Sequence, residues 1–495
     1  MDQKRAEEIA DSHLETVLDD VHGHRVTCVR GLPEEVTAML FAFFSRNPKD
    51  LRTTLVSMIQ SGNLPLEAPY DGMATTNRAK RFHEKTTIGY GHKSVADHAT
   101  LHWAIEGGSA VSERDWLSAR LLAATGKSTR YVDFRDAGFA LPHSFKLSRD
   151  RMEDHCNQLL TAYESLIDPA TVAVRKLLPY EGEALEMWKT EKGWENATAK
   201  RALDMVRDLL PASIRTSFGV TCSATALREM TDKRRTDGPV EVKAQAEAVN
   251  TVCRSVCPTL LPVAGREIPR YVRRAPPMSL SATPDGRTMK GHRITMLKRP
   301  DWDVVQLISG RSIPDVIRGW IHERGHHMPP DRTAEAAIYV MDCVLPWAIH
   351  RDLGRHRMMT QIEGALTPNL GYGADPLLFH FSEMIRNNPT LALVAKAHQQ
   401  ALMAADKRLI AMATEEEDDV IQYLCPLAAM VPVKYVMNAR ELVHFLGLRT
   451  IAQGHASYRL FTQMLGNEVK RVDPLMASLV DEVTNFNHVV IGRPG

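Results

Sequence analysis

What this chain has little of narrows its function first. Lys plus Arg (61) almost balance Asp plus Glu (60), leaving a formal net charge of +1. So even a balance gives no general attraction to nucleic acid or to an anionic membrane surface, and any phosphate the protein recognises has to be gripped by particular side chains. Long apolar runs are missing too. The most apolar stretch, Ala336 to Ile349, is broken by Asp342 and Pro346 and is shorter than a bilayer requires. Met1 to Asp20 is polar, carries charges throughout and does not read as a secretory signal. Cysteine is sparse: seven residues, an odd and scattered set, which argues for reduced thiols in a cytoplasmic protein. The one close pair, Cys253 and Cys257, has no second pair nearby to complete a zinc site.

What is present is enough for two globular domains. The chain has 495 residues, 44% of them hydrophobic and 24% charged, too many for one ordinary core. Apolar residues at three- and four-residue steps predict amphipathic helices over Leu159 to Leu178 and Glu241 to Val256. Shorter apolar runs, Thr100 to Ile105 and Ile338 to Val344, predict strands. The expected class is therefore α/β or α+β and rich in helix. Between Ala264 and Asp301 the periodicity gives way to an Arg-, Pro- and Gly-containing stretch, which reads as a linker. We accordingly expect a first domain over 1–275, a linker over 276–295 and a second domain over 296–495.

The same order of features recurs on both sides of that linker, as an old duplication would leave it. A Ser/Arg/Pro-containing stretch comes first, Ser45 to Arg52 and Ser309 to Arg318. A Gly-His element follows, Gly91-His92 and Gly325-His326. Arg114-Asp115 and Arg351-Asp352 each precede a basic segment, and each half ends on a Pro-led run, Leu210-Pro211 to Arg234 and Cys425-Pro426 to Arg449.

The basic segments carry the chemistry. Arg355-His356-Arg357 puts two guanidinium groups and an imidazole within three residues, and guanidinium holds phosphate oxygens in a bidentate fork. Downstream, Asn438-Ala-Arg440-Glu-Leu-Val-His444 reads as a helix with Arg440 and His444 on one face, followed by Arg449. Together these segments resemble the signature and the carboxy-terminal cofactor helix of the flavin-dependent thymidylate synthases. In the first half, Ser128 and Arg130 resemble the Ser-x-Arg end of the same signature.

By that resemblance Arg355, His356, Arg357, Asn438, Arg440 and His444, with His92 of the first half, contact flavin adenine dinucleotide, although the family commonly has Asn where His444 stands. Ser128, Arg130, Arg207, Arg234 and Arg449 bind a pyrimidine nucleotide. Arg449, Glu363 and Arg234 act on it. The implied reaction is reductive methylation of deoxyuridine monophosphate, or of a related pyrimidine nucleotide, at C5, with methylenetetrahydrofolate and NADPH as co-substrates. Neither half is complete. Ala365 and Thr367 replace the phosphate-binding Ser and Arg in the second, while Ser118 and Ala119 replace the leading Arg-His in the first, where Ser223, Thr225 and Glu229 stand in place of Asn438, Arg440 and His444. The resemblance thus implies a composite site and a homodimer of pseudo-tetrameric symmetry. A non-catalytic flavin- or nucleotide-binding protein is the alternative. His322-Glu323-Arg324-Gly325-His326 also has the spacing of a zinc hydrolase, but Gly325 and Pro329-Pro330 predict that its helix ends inside the motif, so no metal site is expected.

Overall fold

The computed structural model describes residues 2–19, 23–32, 37, 40–41, 43–62, 93–144, 146–236, 238–261, 292–322, 328–373, 388–451 and 454–484. Two compact units emerge, one formed by Met1–His143 with Ser213–Arg274 and the other by Ser144–Ala212 with Ala275–Gly495. Residues 144–212, which precede the linker in sequence, therefore pack with the second unit.

In the first unit, β1 (Leu14–Asp19), β2 (His24–Val29), β3 (Thr100–Ser109), β4 (Ala123–Gly126) and β5 (Arg215–Ser223) form an antiparallel sheet in the order β1-β2-β3-β5-β4. Alternation decides its two faces. Leu101, Trp103 and Ile105 of β3 join Phe218, Val220 and Cys222 of β5 against the helices Ala224–Thr236 and Val240–Val256. Ala104 points the other way, into a cluster with Phe41, Phe44, Leu51 and Leu55. The Cys253 thiol lies 4.0 Å from that of Cys28 in the first of these clusters, so the pair is core packing.

The second unit repeats the plan. Its strands β6 (Arg293–Lys298), β7 (Ile338–Pro346), β8 (Thr360–Glu363) and β9 (Met430–Asn438) are antiparallel in the order β6-β7-β9-β8. The register coincides where the strands lead into the next helix: Ser109 faces Arg215 in one sheet and Pro346 faces Met430 in the other, displaced along the chain by 237 and 215 residues. A bulge between Glu106 and Gly108 shifts the remainder of β3 by one residue relative to β7. Asp115 and Asp352 are also 237 residues apart, and Ser223 and Asn438 are 215 apart. These last two cap matching helices, Ser223 Oγ accepting from Ala226 N at 3.2 Å and Asn438 Oδ1 from Glu441 N at 2.8 Å. The fold is a helix-rich mixed α/β arrangement in two tandem copies. Among the described residues no helix is long and apolar enough to cross a membrane.

Residues 144–212 bring equivalent points of the two copies face to face inside the second unit. The long helix Arg149–Leu177 packs along Pro389–Ala413. Beyond them Pro211 bridges Pro426, its equivalent 215 residues on, while Ala212 N donates to Cys425 O and Leu427 N to Leu210 O, both at 2.8 Å. The two bonds are the same bond seen from either copy, which is the mark of a local twofold. On the paired helices His155 and His398 are both buried, and burial pushes each imidazole down to about 4.

The pH consequence is definite in sign. An imidazole held neutral when folded leaves the unfolded chain with more bound protons between about 6.5 and 4. Its stabilisation is complete above that window and is lost as pH falls through it, by at most about 3 kcal/mol per residue. Denaturant midpoints should therefore fall between pH 7 and pH 5, and His398→Leu should flatten that slope. An equal slope in the variant would remove His398 from the account.

Candidate active site

A cavity of about 710 Å³ opens in the second unit at the junction of the β7–β8 connection and the helix Ala439–Arg449. Arg355, His356, Arg357, Asn438, Arg440, His444 and Arg449 all line it. Residues separated by eighty or more positions in sequence thus converge, because β8 and β7 flank β9 and deliver their connection beside the helix that β9 feeds.

His356 is the centre of the polar wall and is 4% exposed. Its Nδ1 lies 2.7 Å from Glu441 Oε1, and its Nε2 lies 2.8 Å from Arg449 Nε. Guanidinium has only donors, so Nε2 must accept and the single ring proton must sit on Nδ1, donated to Glu441. Phe445 meets the ring edge-on at 4.8 Å, and His444 lies 5.6 Å away. Burial pushes His356 below its ordinary value; its hydrogen bond to Glu441 opposes that, and Arg449 and His444 add to it. The imidazole is neutral at neutral pH. Arg449, itself lowered by burial, also lies over the Tyr458 ring at 5.5 Å.

The other cations divide by partner. Arg440 donates from Nε to Pro330 O at 2.9 Å and from Nη1 to Glu335 at 3.2 Å, so it is anchored across the mouth. Arg355 is exposed and Arg357 half-buried, and among the described residues neither has a carboxylate partner. Burial and the neighbouring charge of Arg355 both lower Arg357. Two adjacent like charges without a counter-ion are a standing demand for an anion.

Other residues expected at the site lie elsewhere. Glu363 is not on the cavity wall: it accepts from Trp347 Nε1 at 2.7 Å and contacts His350 Nε2 at 3.0 Å, while His350 Nδ1 meets the Tyr435 hydroxyl at 2.9 Å. Arg234 is 2% exposed, lies against Asp115 at 2.8 Å, donates to the Asp115 and Met230 carbonyls and stacks on Trp116 at 4.4 Å. Its guanidinium closes a helix end in the first unit's core. Arg207 is 1% exposed and belongs to the second unit, where it donates to Asp352 Oδ2 at 2.7 Å. Ser128 and Arg130 lie in the first unit, Ser128 Oγ accepting from Arg130 N at 3.2 Å and the Arg130 guanidinium lying 5.4 Å from the Tyr131 ring. His92, Gly91, Glu323, Gly325 and His326 lie outside the described residues. Among the described residues no cluster of His, Cys, Asp and Glu could hold a metal.

Glu441, Glu335 and Tyr458 were not anticipated. Asn438-Ala-Arg-Glu441 has the spacing of a helix capping box, which reads as purely local. The carboxylate instead turns to His356.

Residues 50–259 and 284–475 each match the model of the thymidylate synthase complementing protein. The chain belongs to that family. Two matches in tandem account for the constant spacings between the sheets. The chain is 26% identical over 532 residues to a UPF0159 protein of Chlamydia muridarum, covering 97% of this chain and 95% of that one. It is 22% identical over 455 residues to a UPF0159 protein of Thermoplasma acidophilum, covering 81% and 88%. Over a shorter stretch of 150 residues it is 28% identical to a flavin-dependent thymidylate synthase of Thermococcus kodakarensis, covering 30% of this chain and 50% of that protein.

Within the family's fold, Arg207 ties residues 144–212 to the helix that precedes Arg355-His356-Arg357. Breaking a buried ion pair by removing one partner costs about 3–5 kcal/mol, because the other charge is left uncompensated. Arg207→Ala should lower the denaturant midpoint accordingly. A midpoint within error of the parent would show that Asp352 needs no buried counter-ion.

Proposed function

We propose that the second unit binds flavin adenine dinucleotide and that the protein is a flavin-dependent methylase of a pyrimidine nucleotide. The observation that carries this reading is the pair Arg355 and Arg357, without carboxylate partners among the described residues, at the mouth of a cavity of about 710 Å³ that also holds a neutral imidazole. The volume is within the range of small-molecule sites, roughly 300–1,000 Å³. The donor set suits an anionic dinucleotide: Arg355 and Arg357 for the pyrophosphate, with Asn438, Arg440 and His444 along the same wall. Family membership and the partial similarity to a flavin-dependent thymidylate synthase support the same choice.

The bound flavin would supply the hydride. The protein's own residues bind, orient and hold charge. Arg355 and Arg357 would neutralise the diphosphate, Arg449 would present a guanidinium to a ligand in the same cavity, and His356 keeps a proton at Nδ1. The reading includes methylenetetrahydrofolate as carbon donor, NADPH as reductant, and a dimer of chains. It assigns nucleotide phosphate recognition to Ser128 and Arg130 of the first unit.

A non-catalytic flavin-binding protein is the second reading, and two observations favour it. Thr367, which stands in place of the signature's phosphate-binding Arg, caps a short helical turn, its Oγ1 accepting from Asn369 N at 3.4 Å. Arg234 is held in the core. Reoxidation of the reduced flavin that depends on deoxyuridine monophosphate and methylenetetrahydrofolate separates the two: the enzyme reading requires it, the other forbids it.

Charge-assisted hydrogen bonds contribute about 1.5–3 kcal/mol each. Replacing Arg355 and Arg357 together with Ala should therefore weaken flavin binding by at least about a hundredfold in a fluorescence titration. Parental affinity in the double variant would contradict the assignment.

A further inference from the structure

The contact between Arg449 and His356 exists only while the imidazole is neutral. With Nε2 unprotonated it accepts the Arg449 Nε–H at 2.8 Å. A second ring proton would turn Nε2 into a donor facing a donor, and the two cations would repel. Among the described residues the groups around the pair are few. Glu441 and His444 face the ring from its own side of the cavity, Arg355 and Arg357 flank it in sequence, Tyr458 underlies Arg449, and Asp352 acts on Arg449 through its charge. Glu335 and Arg440 line the same cavity but hold one another. Glu441 is therefore the carboxylate bonded to the ring, and its own backbone N–H is already taken by the Asn438 cap.

We propose that Glu441 is a positioning residue: it fixes the proton of His356 on Nδ1, so that Nε2 parks Arg449, and uptake of a second proton by His356 releases Arg449 toward an anionic ligand in the cavity. The proton comes from solvent and stays on the ring; no covalent bond changes. Ligand binding and protonation then reinforce each other, since an anion favours both the imidazolium and the freed guanidinium, and such coupling is reciprocal. The inference rests on the reading of the cavity as a flavin dinucleotide site, but its first half concerns the ligand-free protein alone.

Two measurements on the full-length chain test it. In protein labelled with 15N-histidine, with His356→Gln supplying the assignment by difference, the ligand-free parent at pH 8 should carry the His356 proton on Nδ1, the minor form of free imidazole. Glu441→Ala should move it to Nε2, while Glu441→Gln, whose amide oxygen can still accept, should restore it to Nδ1. In titrations with flavin adenine dinucleotide the parent should bind more tightly at pH 6 than at pH 8, by a factor that stays below the roughly tenfold ceiling that one unit of pKa coupling gives. Glu441→Gln, which keeps the hydrogen bond but lacks the charge that favours the imidazolium, should lose most of that dependence. A proton on Nε2 in the parent, or an unchanged pH dependence in Glu441→Gln, would overturn the proposal. Absence of flavin binding at either pH would overturn the flavin reading instead, and the ligand-free spectrum would still decide where the proton sits.

Discussion

A guanidinium group stays charged at any pH a protein survives, so it cannot be buried without something to answer that charge. In this chain the partner each arginine has found decides what that part of the protein can do. Arg207 has Asp352, Arg234 has Asp115 and the Trp116 face, Arg440 has Glu335 and Arg449 has a neutral imidazole. Three of these four arrangements are ion pairs that hold the fold or the cavity rim. The fourth can be undone by one proton, and it lies beside Arg355 and Arg357, which have no carboxylate partner among the described residues. Cavity, charge and exchangeable contact coincide in the second unit.

The two copies have diverged by moving charges while keeping the scaffold. Position 126 corresponds by the constant spacing to position 363, and position 113 to position 350. In the second unit a carboxylate on β8, Glu363, meets His350. In the first, Gly126 takes the strand position and the Glu113 carboxylate fills the space, so near that a Cβ at 126 would lie 1.8 Å from Glu113 Oε1. One negative charge is kept at each place, on opposite partners. Ser118 and Ala119 stand where Arg355 and His356 stand, and Arg234 turns from the position of Arg449 to close a helix. The first unit has given up the cluster of cations and kept the strand order and the pairing of its last strand, which depend on apolar alternation and tolerate such changes.

Much of this could be read from the residues. The strands Thr100 to Ile105 and Ile338 to Val344 fall within β3 and β7, the helix Glu241 to Val256 agrees with the structure to within one residue, and the helix Leu159 to Leu178 is right at its end but begins earlier in the structure, at Arg149. Periodicity is local, and so are these elements. The convergence of Arg355, His356 and Arg357 with Asn438, Arg440, His444 and Arg449 was legible because two motifs kept their order. What escaped the sequence depends on tertiary partners. Nothing local distinguishes Arg207 from a surface arginine until Asp352 stands 2.7 Å away, and Glu441 looks like an ordinary capping residue until His356 is buried against it. The packing of 144–212 with the second unit follows from the pairing of two long helices, and amphipathic patterning alone names no partner for either helix.

The central claim is that duplication has left one working cofactor site per chain, in the second unit. Its most direct test is the stoichiometry of flavin adenine dinucleotide bound by the intact protein, measured by equilibrium dialysis at saturating ligand. The account predicts one flavin per chain. Two per chain would show that the first unit retains a site despite its Ser118-Ala119 substitution, and none would contradict the account altogether.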